Sequence, residues 1–312
     1  MSSNARQLAA NLPREGGFGL RNFIVNGEMQ VAQRGVSVSF GAGYTLDRWR
    51  IVGGSSPARV ATQESNTSYS TLPHEKFLKC TNPQGQDMWT TQRIENARQF
   101  SGKTLTISYW VWSTTGSYSA TSGSWGKFQA VNGGTAYNVS GWGGASVSVT
   151  TTPQYVTHTI NFADISSYAH TEGDFFEWNV YHNTTNDICI TGVQLEVGDT
   201  ATPFEHRSYG DELARCQRYY YRSDGIYRDA GVTTSGYMTT EWALPVQMRA
   251  VGTAQVFGYP SGTSGRVSYF TGTWNDTASF SFPHIGPNYF SIQYNNVTAS
   301  QMGLSFTIDA EL

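Results

Sequence analysis

The chain has 312 residues, 14% of them aromatic and 14% charged, with 33 glycines and a net charge of -3; an average globular protein is about a quarter charged. Abundant aromatics with a small net charge exclude a disordered chain. The lack of Ala, Glu, Lys and Leu in bulk excludes a coiled coil, and the acidic balance argues against a nucleic-acid partner. The length suits about two domains. Lys76, Lys79, Lys103 and Lys127 are the only lysines; every other cation is Arg. Arg suits interfaces and Lys a freely solvated surface. Two readings follow, a chain that hides surface in a partner or a compact all-β protein with few charges.

Residues 1–20 form a segment apart. Asn4 would cap a short helix through Leu8 to about Asn11, ended by Pro13 and Gly16-Gly17. Such a helix is too short to stand alone, so the segment reads either as a frayed end or as an arm that orders on a partner. It lacks the apolar stretch of a signal peptide. No apolar run approaches the roughly 20 residues of a membrane-spanning helix. A soluble protein made in a reducing cytoplasm is expected, without membrane insertion. Cys80, Cys189 and Cys216 include no CxxC pair, which points to buried free thiols.

From Arg21 to about residue 207 the signal is strands and turns. Phe23, Val25, Met29 and Val31 alternate around Asn26-Gly27, a hairpin-type dipeptide. Tyr44–Val52 reads as a strand with Leu46, Trp49 and Ile51 apolar. Thr104–Trp112 puts Leu105, Ile107, Tyr109 and Val111 on one face and Thr106, Ser108, Trp110 and Trp112 on the other. Tyr155–Phe162, Phe175–Tyr181 and Ile188–Val197 complete the set. This spacing predicts a β-sandwich or jelly roll.

Residues 128–163 contain no Asp, Glu, Lys or Arg. With Tyr118 and Trp125 just before it, and Tyr137 and Trp142 within it, the stretch reads in two ways. It is either loops and strands packed on a neighbour, or an aromatic platform that stacks on sugars. At 208–222 the pattern changes. Leu213, Cys216 and Tyr220 suit one face of a short connector helix beginning near Asp211. Strands return over 223–312, at Tyr237–Leu244, Val251–Tyr259, Arg266–Phe270, Ser279–Phe282, Tyr289–Tyr294 and Gly303–Ile308. The stretch 267–312 has no Lys or Arg, and it holds a second aromatic pair of sugar-binding candidates, Trp274 and Tyr289.

No P-loop, GxSxG, HExxH or EF-hand pattern occurs. SGKT at 101–104 lacks the upstream glycine, and a strand follows it rather than a helix. Glu172, Asp174 and Glu177 cluster. Asp174 and Glu177 would be a glycosidase pair only if the fold set them across a sugar, and Glu172 with Asp174 are candidates for a structural Ca²⁺. The chain is read as a non-enzyme with no cofactor beyond that ion. His74, His158, His170, His182, His206 and His284 are scattered without a triad or metal pattern.

NFIVNGEMQVAQRG (22–35), YTLDRWRIV (44–52) and above all ITGVQLEVGDTATPFEHRSYGDELARCQRYYYR (190–222) resemble bacteriophage tail-fibre and related virion proteins. PVQMRA (245–250), FTIDAEL (306–312) and the opening SSNARQLAANL are similar in style. The resemblance covers most of the chain but not about 53–100 or 113–150, where host-range loops would sit. It implies an N-terminal attachment arm (1–20), a jelly roll like a carbohydrate-binding module (21–207), a connector helix (208–222) and a small β domain that trimerises (223–312). The implied protein is a homotrimeric tail fibre located in the virion. It would be held to another virion protein through residues 1–20 and would bind a host surface glycan during adsorption. Two other functions stay open, a capsid-decorating or baseplate part with protein contacts only, and a polysaccharide depolymerase.

Overall fold

A computed structural model of the chain describes residues 21–40, 43–53, 59–127, 136–137, 145–167, 173–223, 225–229, 237–295 and 301–312. The expected arm at 1–20 lies outside the described residues. By contact, the described chain up to Gln30 joins Val36–Arg207 in one unit, and Val31–Gly35 joins Ser208–Leu312 in a second. The pentapeptide 31–35, inside the stretch expected to make one sandwich, is therefore part of the second unit.

The first unit contains β1 (Ser37–Phe40), β2 (Gly43–Tyr44), β3 (Arg50–Gly53), β4 (Arg59–Ser65), β5 (Lys76–Cys80), β6 (Met88–Glu95), β7 (Thr104–Trp112), β8 (Tyr118–Lys127), β9 (Ala136–Tyr137), β10 (Ala145–Val149), β11 (Gln154–Asn161), β12 (Phe175–His182) and β13 (Ile188–Val197). They form two antiparallel sheets. One runs β1-β4-β5-β13-β7-β11 and the other β10-β8-β12-β6-β3-β2, with β9 on β8. The chain passes back and forth between the sheets in the manner of a jelly roll, and the all-β expectation holds. Leu105, Ile107, Tyr109 and Val111 of β7 and Phe176, Trp178 and Val180 of β12 are buried where the sheets meet. Tyr109 and Trp178 touch across that core with ring centroids 4.9 Å apart.

Two local expectations are corrected. Asn26-Gly27 makes no hairpin. Gly27 lies against the bulge of β13, where an added Cβ would collide with the Val193 carbonyl, and the Gly27 carbonyl accepts from Val193 N at 3.0 Å. Asn22 does the work of a strand there: its Oδ1 accepts from Ile24 N and Leu195 N, and its Nδ2 donates to Val193 O. The stretch 44–52 is not one strand but β2, a turn and β3. Arg48 sits in the left-handed region at φ 69°, a conformation that ends extended pairing.

The second unit holds helix α1 (Tyr209–Gln217) and strands β14 (Tyr220–Arg222), β15 (Ile226–Asp229), β16 (Tyr237–Ala243), β17 (Thr253–Gly258), β18 (Val267–Phe270), β19 (Trp274–Thr277), β20 (Phe280–Ile285), β21 (Tyr289–Asn295) and β22 (Gln301–Asp309). β22 pairs with β14, β15, β17 and β18, while β16-β21-β20 form a separate sheet. Met248, Val256, Phe290, Ile292, Leu304 and Phe306 are among the buried core. Helix α1 begins before Asp211 because Ser208 caps it, accepting from Asp211 N at 3.2 Å. Its buried residues are Glu212 and Cys216, not Leu213. Arg34 anchors the pentapeptide 31–35, 3.0 Å from Asp309, 3.4 Å from Glu311 and 3.7 Å over the Tyr220 ring. The three cysteines are buried free thiols; burial pushes Cys80 up to about 12. Among the described residues no helix is long and apolar enough to cross a membrane.

Candidate functional site

Strand alternation on β6 and β12 builds the site. Met88, Thr90, Gln92 and Ile94 of β6 and Phe176, Trp178, Val180 and His182 of β12 are buried on the core side. Their neighbours face outward. Strand register lines these up in rows across the sheet. Val52, Trp89 and Tyr181 share one row, Arg50, Thr91 and Asn179 the next, and Arg93 and Glu177 the third.

The first row borders an open cleft of ≈ 700 Å³ lined by Val52, Gly53, Gly85, Gln86, Asp87, Trp89 and Asn183. Trp89 and Tyr181 lie against each other, centroids 4.9 Å apart and planes at 36°. The Tyr181 hydroxyl donates to Asp87 Oδ1 at 2.7 Å, and this bond raises the phenol's pKa. Asp87, Gln86 and Asn183 are exposed, so an aromatic wall stands beside a solvent-facing carboxylate and amide groups.

Two buried groups hold the rims. Arg59, fully buried, donates from Nη2 to the Asp87 carbonyl at 2.9 Å and from Nε to Asn82 Oδ1 at 3.3 Å. Asn82 Nδ2 in turn donates to Gln86 O. Gly53, at φ 141°, leaves the space that the Asp87 carbonyl fills. Opposite, Asp187 pins the loop that follows β12. It accepts from Ser113 Oγ and Thr114 N, each at 2.7 Å, and from Thr114 Oγ1, and it lies 3.4 Å from Lys79. Burial works against its charge, but these hydrogen bonds prevail and lower its pKa. Between the rims His182 is 1% exposed. Burial pushes its pKa down to about 4, the Asn186 backbone and Asp187 opposing and Arg59 acting in the same direction as burial.

The third row is an ion cluster. Glu177, 2% exposed, takes Arg93 Nε at 2.9 Å and lies 3.9 Å from Arg50 Nη1. Arg93 also sits 4.1 Å over the Phe175 ring.

The sequence-derived candidates fall in several places. Tyr118 does not line the cleft. Its ring packs on His182 at 5.3 Å, its hydroxyl donates to the Asp187 carbonyl, and burial raises its pKa. Trp125 holds the register position opposite Glu177, and Tyr137 the position opposite Gly126. Trp142 and Glu172 lie outside the described residues. Trp274 packs on Phe270 at 5.4 Å, and Tyr289 is 43% exposed with its ring beside Gly286. Both belong to the second unit. Asp174 is buried, and Glu177 is bound to arginines rather than free to form a catalytic pair with it. Among the described residues no group of three or more His, Cys, Asp or Glu is placed to hold a metal ion.

Sequence reasoning missed Trp89, Tyr181 as its partner, and Asp87. Their one sequence signal is position. The cleft residues Gly53, Gly85, Gln86, Asp87 and Trp89 fall in the stretch 53–100, where the virion-protein resemblance lapses.

No family profile matches the chain, and no curated protein matches it. Solved structures that match include the enzymatically active domain of bacteriophage CBA120 tailspike protein 4, at 16% identity and TM-score 0.36 over 57% of this chain. The match spans only 21% of that tailspike chain. The CBM22-1 xylan-binding domain of Paenibacillus barcinonensis Xyn10C matches at 15% identity and TM-score 0.32, over 53% of this chain and 94% of its own. TmCBM61, solved with β-1,4-galactotriose, matches at 12% identity and TM-score 0.34, over 57% and 99%.

Proposed function

We propose that the protein is a glycan-binding virion component, a bacteriophage tail fibre whose first unit holds a host surface glycan in the Trp89–Tyr181 cleft. One observation carries the glycan reading. Half-buried Trp89, with the Tyr181 ring packed on it, lines an open cleft beside the exposed Asp87, Gln86 and Asn183. Sugars present apolar C–H faces that stack on aromatic rings and hydroxyls that bond to carboxylates and amides. The virion role rests on the resemblance of residues 22–35, 44–52 and 190–222 to tail-fibre proteins. Attachment through residues 1–20 and trimerisation through the second unit belong to the same reading. Three weak sites on one fibre would add avidity to the contact with a cell surface.

Calorimetric titration with a panel of bacterial surface polysaccharides tests the binding site. The reading expects binding by the native protein and much weaker binding by Trp89→Ala, and equal binding by the two proteins contradicts it. Mass in solution tests the assembly. A particle of about three times 34.3 kDa is expected, and a monomer of 34.3 kDa contradicts the trimer.

A further inference from the structure

The charge of the cleft bears on which sugars it takes. Asp87 is the only charged residue of the described lining, and it is solvent-facing. The neighbouring sequence adds no other charge, since 51–58, 81–86, 88–92 and 178–186 hold no Asp, Glu, Lys or Arg. The carboxylate is also fixed in place. Arg59 Nη2 holds the Asp87 carbonyl at 2.9 Å, and the Tyr181 hydroxyl donates to Oδ1 at 2.7 Å. Among the described residues Oδ2 takes no hydrogen bond and Asp87 makes no ion pair. Arg59 feels its charge, but that guanidinium is solvent-excluded and bonded to the Asp87 carbonyl and to Asn82. Arg50, on β3, lies 3.9 Å from a different carboxylate, that of Glu177.

An exposed, oriented carboxylate beside an indole narrows the ligand. The Tyr181 ring packs on Trp89 while its hydroxyl holds Asp87, so one short oligosaccharide can touch both the indole and the carboxylate. An acidic sugar would meet repulsion there. A neutral hydroxyl would donate an ordinary hydrogen bond to Oδ2. An ammonium would donate a charge-assisted one, shorter and roughly twice as strong. The negative face of an aromatic ring attracts the same cation. The amides of Gln86 and Asn183, also in the lining, remain for the sugar hydroxyls.

We propose that Asp87 seats the ammonium group of an amino sugar stacked on Trp89, so that the glycan bound in the cleft carries free amines. This inference rests on the glycan-binding reading above. The full chain is titrated by calorimetry with a glucosamine oligosaccharide, with its N-acetylated counterpart, with an oligogalacturonate and with a lysine tripeptide. The titrations are run at about pH 6, where the amines are protonated, and at about 20 and about 300 mM salt. At low salt the amino sugar should bind about fivefold more tightly than its acetylated form, the acidic sugar should bind worst, and the gap should close at high salt. Asp87→Asn keeps an oxygen for the Tyr181 hydroxyl and should erase the gap while the thermal melt stays close to native. The salt dependence of the native protein needs no variant to fold. Equal binding of the amino and acetylated sugars at low salt, or a gap that persists in Asp87→Asn, overturns the ammonium seat and leaves the glycan reading standing. Binding of the lysine peptide with no binding of any sugar, or no binding at all, overturns both.

Discussion

The sandwich has two outward faces with the same polar alternation, and the protein treats them oppositely. On the β1-β4-β5-β13-β7-β11 sheet several polar groups are bonded by neighbouring strands and loops of the chain. Thr106 Oγ1 donates to Gly198 O, Thr191 Oγ1 to Lys76 O, and Gln194 Nε2 to Glu196 and Thr202. Glu196 accepts from both Thr202 N and Thr202 Oγ1. Trp112 is covered by Tyr69 and Phe77, with Leu72 and Cys189 in the same cluster. On the opposite sheet Trp89 and Tyr181 stack on each other beside a cleft lined by Trp89 and the exposed Gln86, Asp87 and Asn183. Polar residues on a strand thus do not identify a binding face.

The contrast can be broken at several points. The largest effect is expected beneath the open face, at Asp187. Asp187→Ala strands the hydroxyls of Ser113, Thr114 and Thr115, a backbone N–H and Lys79, and should cost the first unit about 4 kcal/mol. Urea denaturation measures that loss, and sugar binding at the cleft should weaken with it because the loop bearing Asn183 loses its anchor.

The next effect is set by pH. His182 is held neutral in the fold, whereas in the unfolded chain it takes a proton below about pH 6.5. The unfolded state therefore binds more protons between pH 6.5 and 4. Stability should fall by on the order of 3 kcal/mol as pH drops through that window, then cease to fall on this account below pH 4. Denaturation curves across that range should be flatter in His182→Leu. An unchanged slope would show that Arg59, Asp187 and Tyr118 do not enclose a neutral imidazole.

At the open face itself, Trp89→Ala should weaken glycan binding roughly thirtyfold, about 2 kcal/mol, with little change in stability. The smallest effect belongs to the closed face. Thr191→Val should cost about 1 kcal/mol of stability and leave binding untouched, as calorimetry and a thermal melt would report.

Much of the fold was legible because alternation is local. The two faces of Thr104–Trp112, the strands at Phe175 and Ile188, and most strands of the second unit were readable from period-two patterning. The failures came where a distant partner decides. Asn26-Gly27 looks like a hairpin until Val193 occupies the other side, and Tyr44–Val52 looks continuous until Arg48 turns. The candidate site was the least legible part. Aromatic composition pointed to Tyr118, Trp125, Tyr137 and Trp142, but stacking needs two rings in register. The meeting of Trp89 with Tyr181 is set by pairing across 92 positions of chain. Tyr118, counted as a platform, faces inward and supports the loop of Asp187 instead.

The most direct test of the account is to map a bound glycan onto the two faces by NMR, following the tryptophan indole N–H signals as a surface oligosaccharide is added. The account predicts a large shift at Trp89, with Trp110, which packs beside the exposed Tyr155 on the closed face, unmoved. A shift at Trp110 with Trp89 silent would place the site on the wrong side of the sandwich and contradict it.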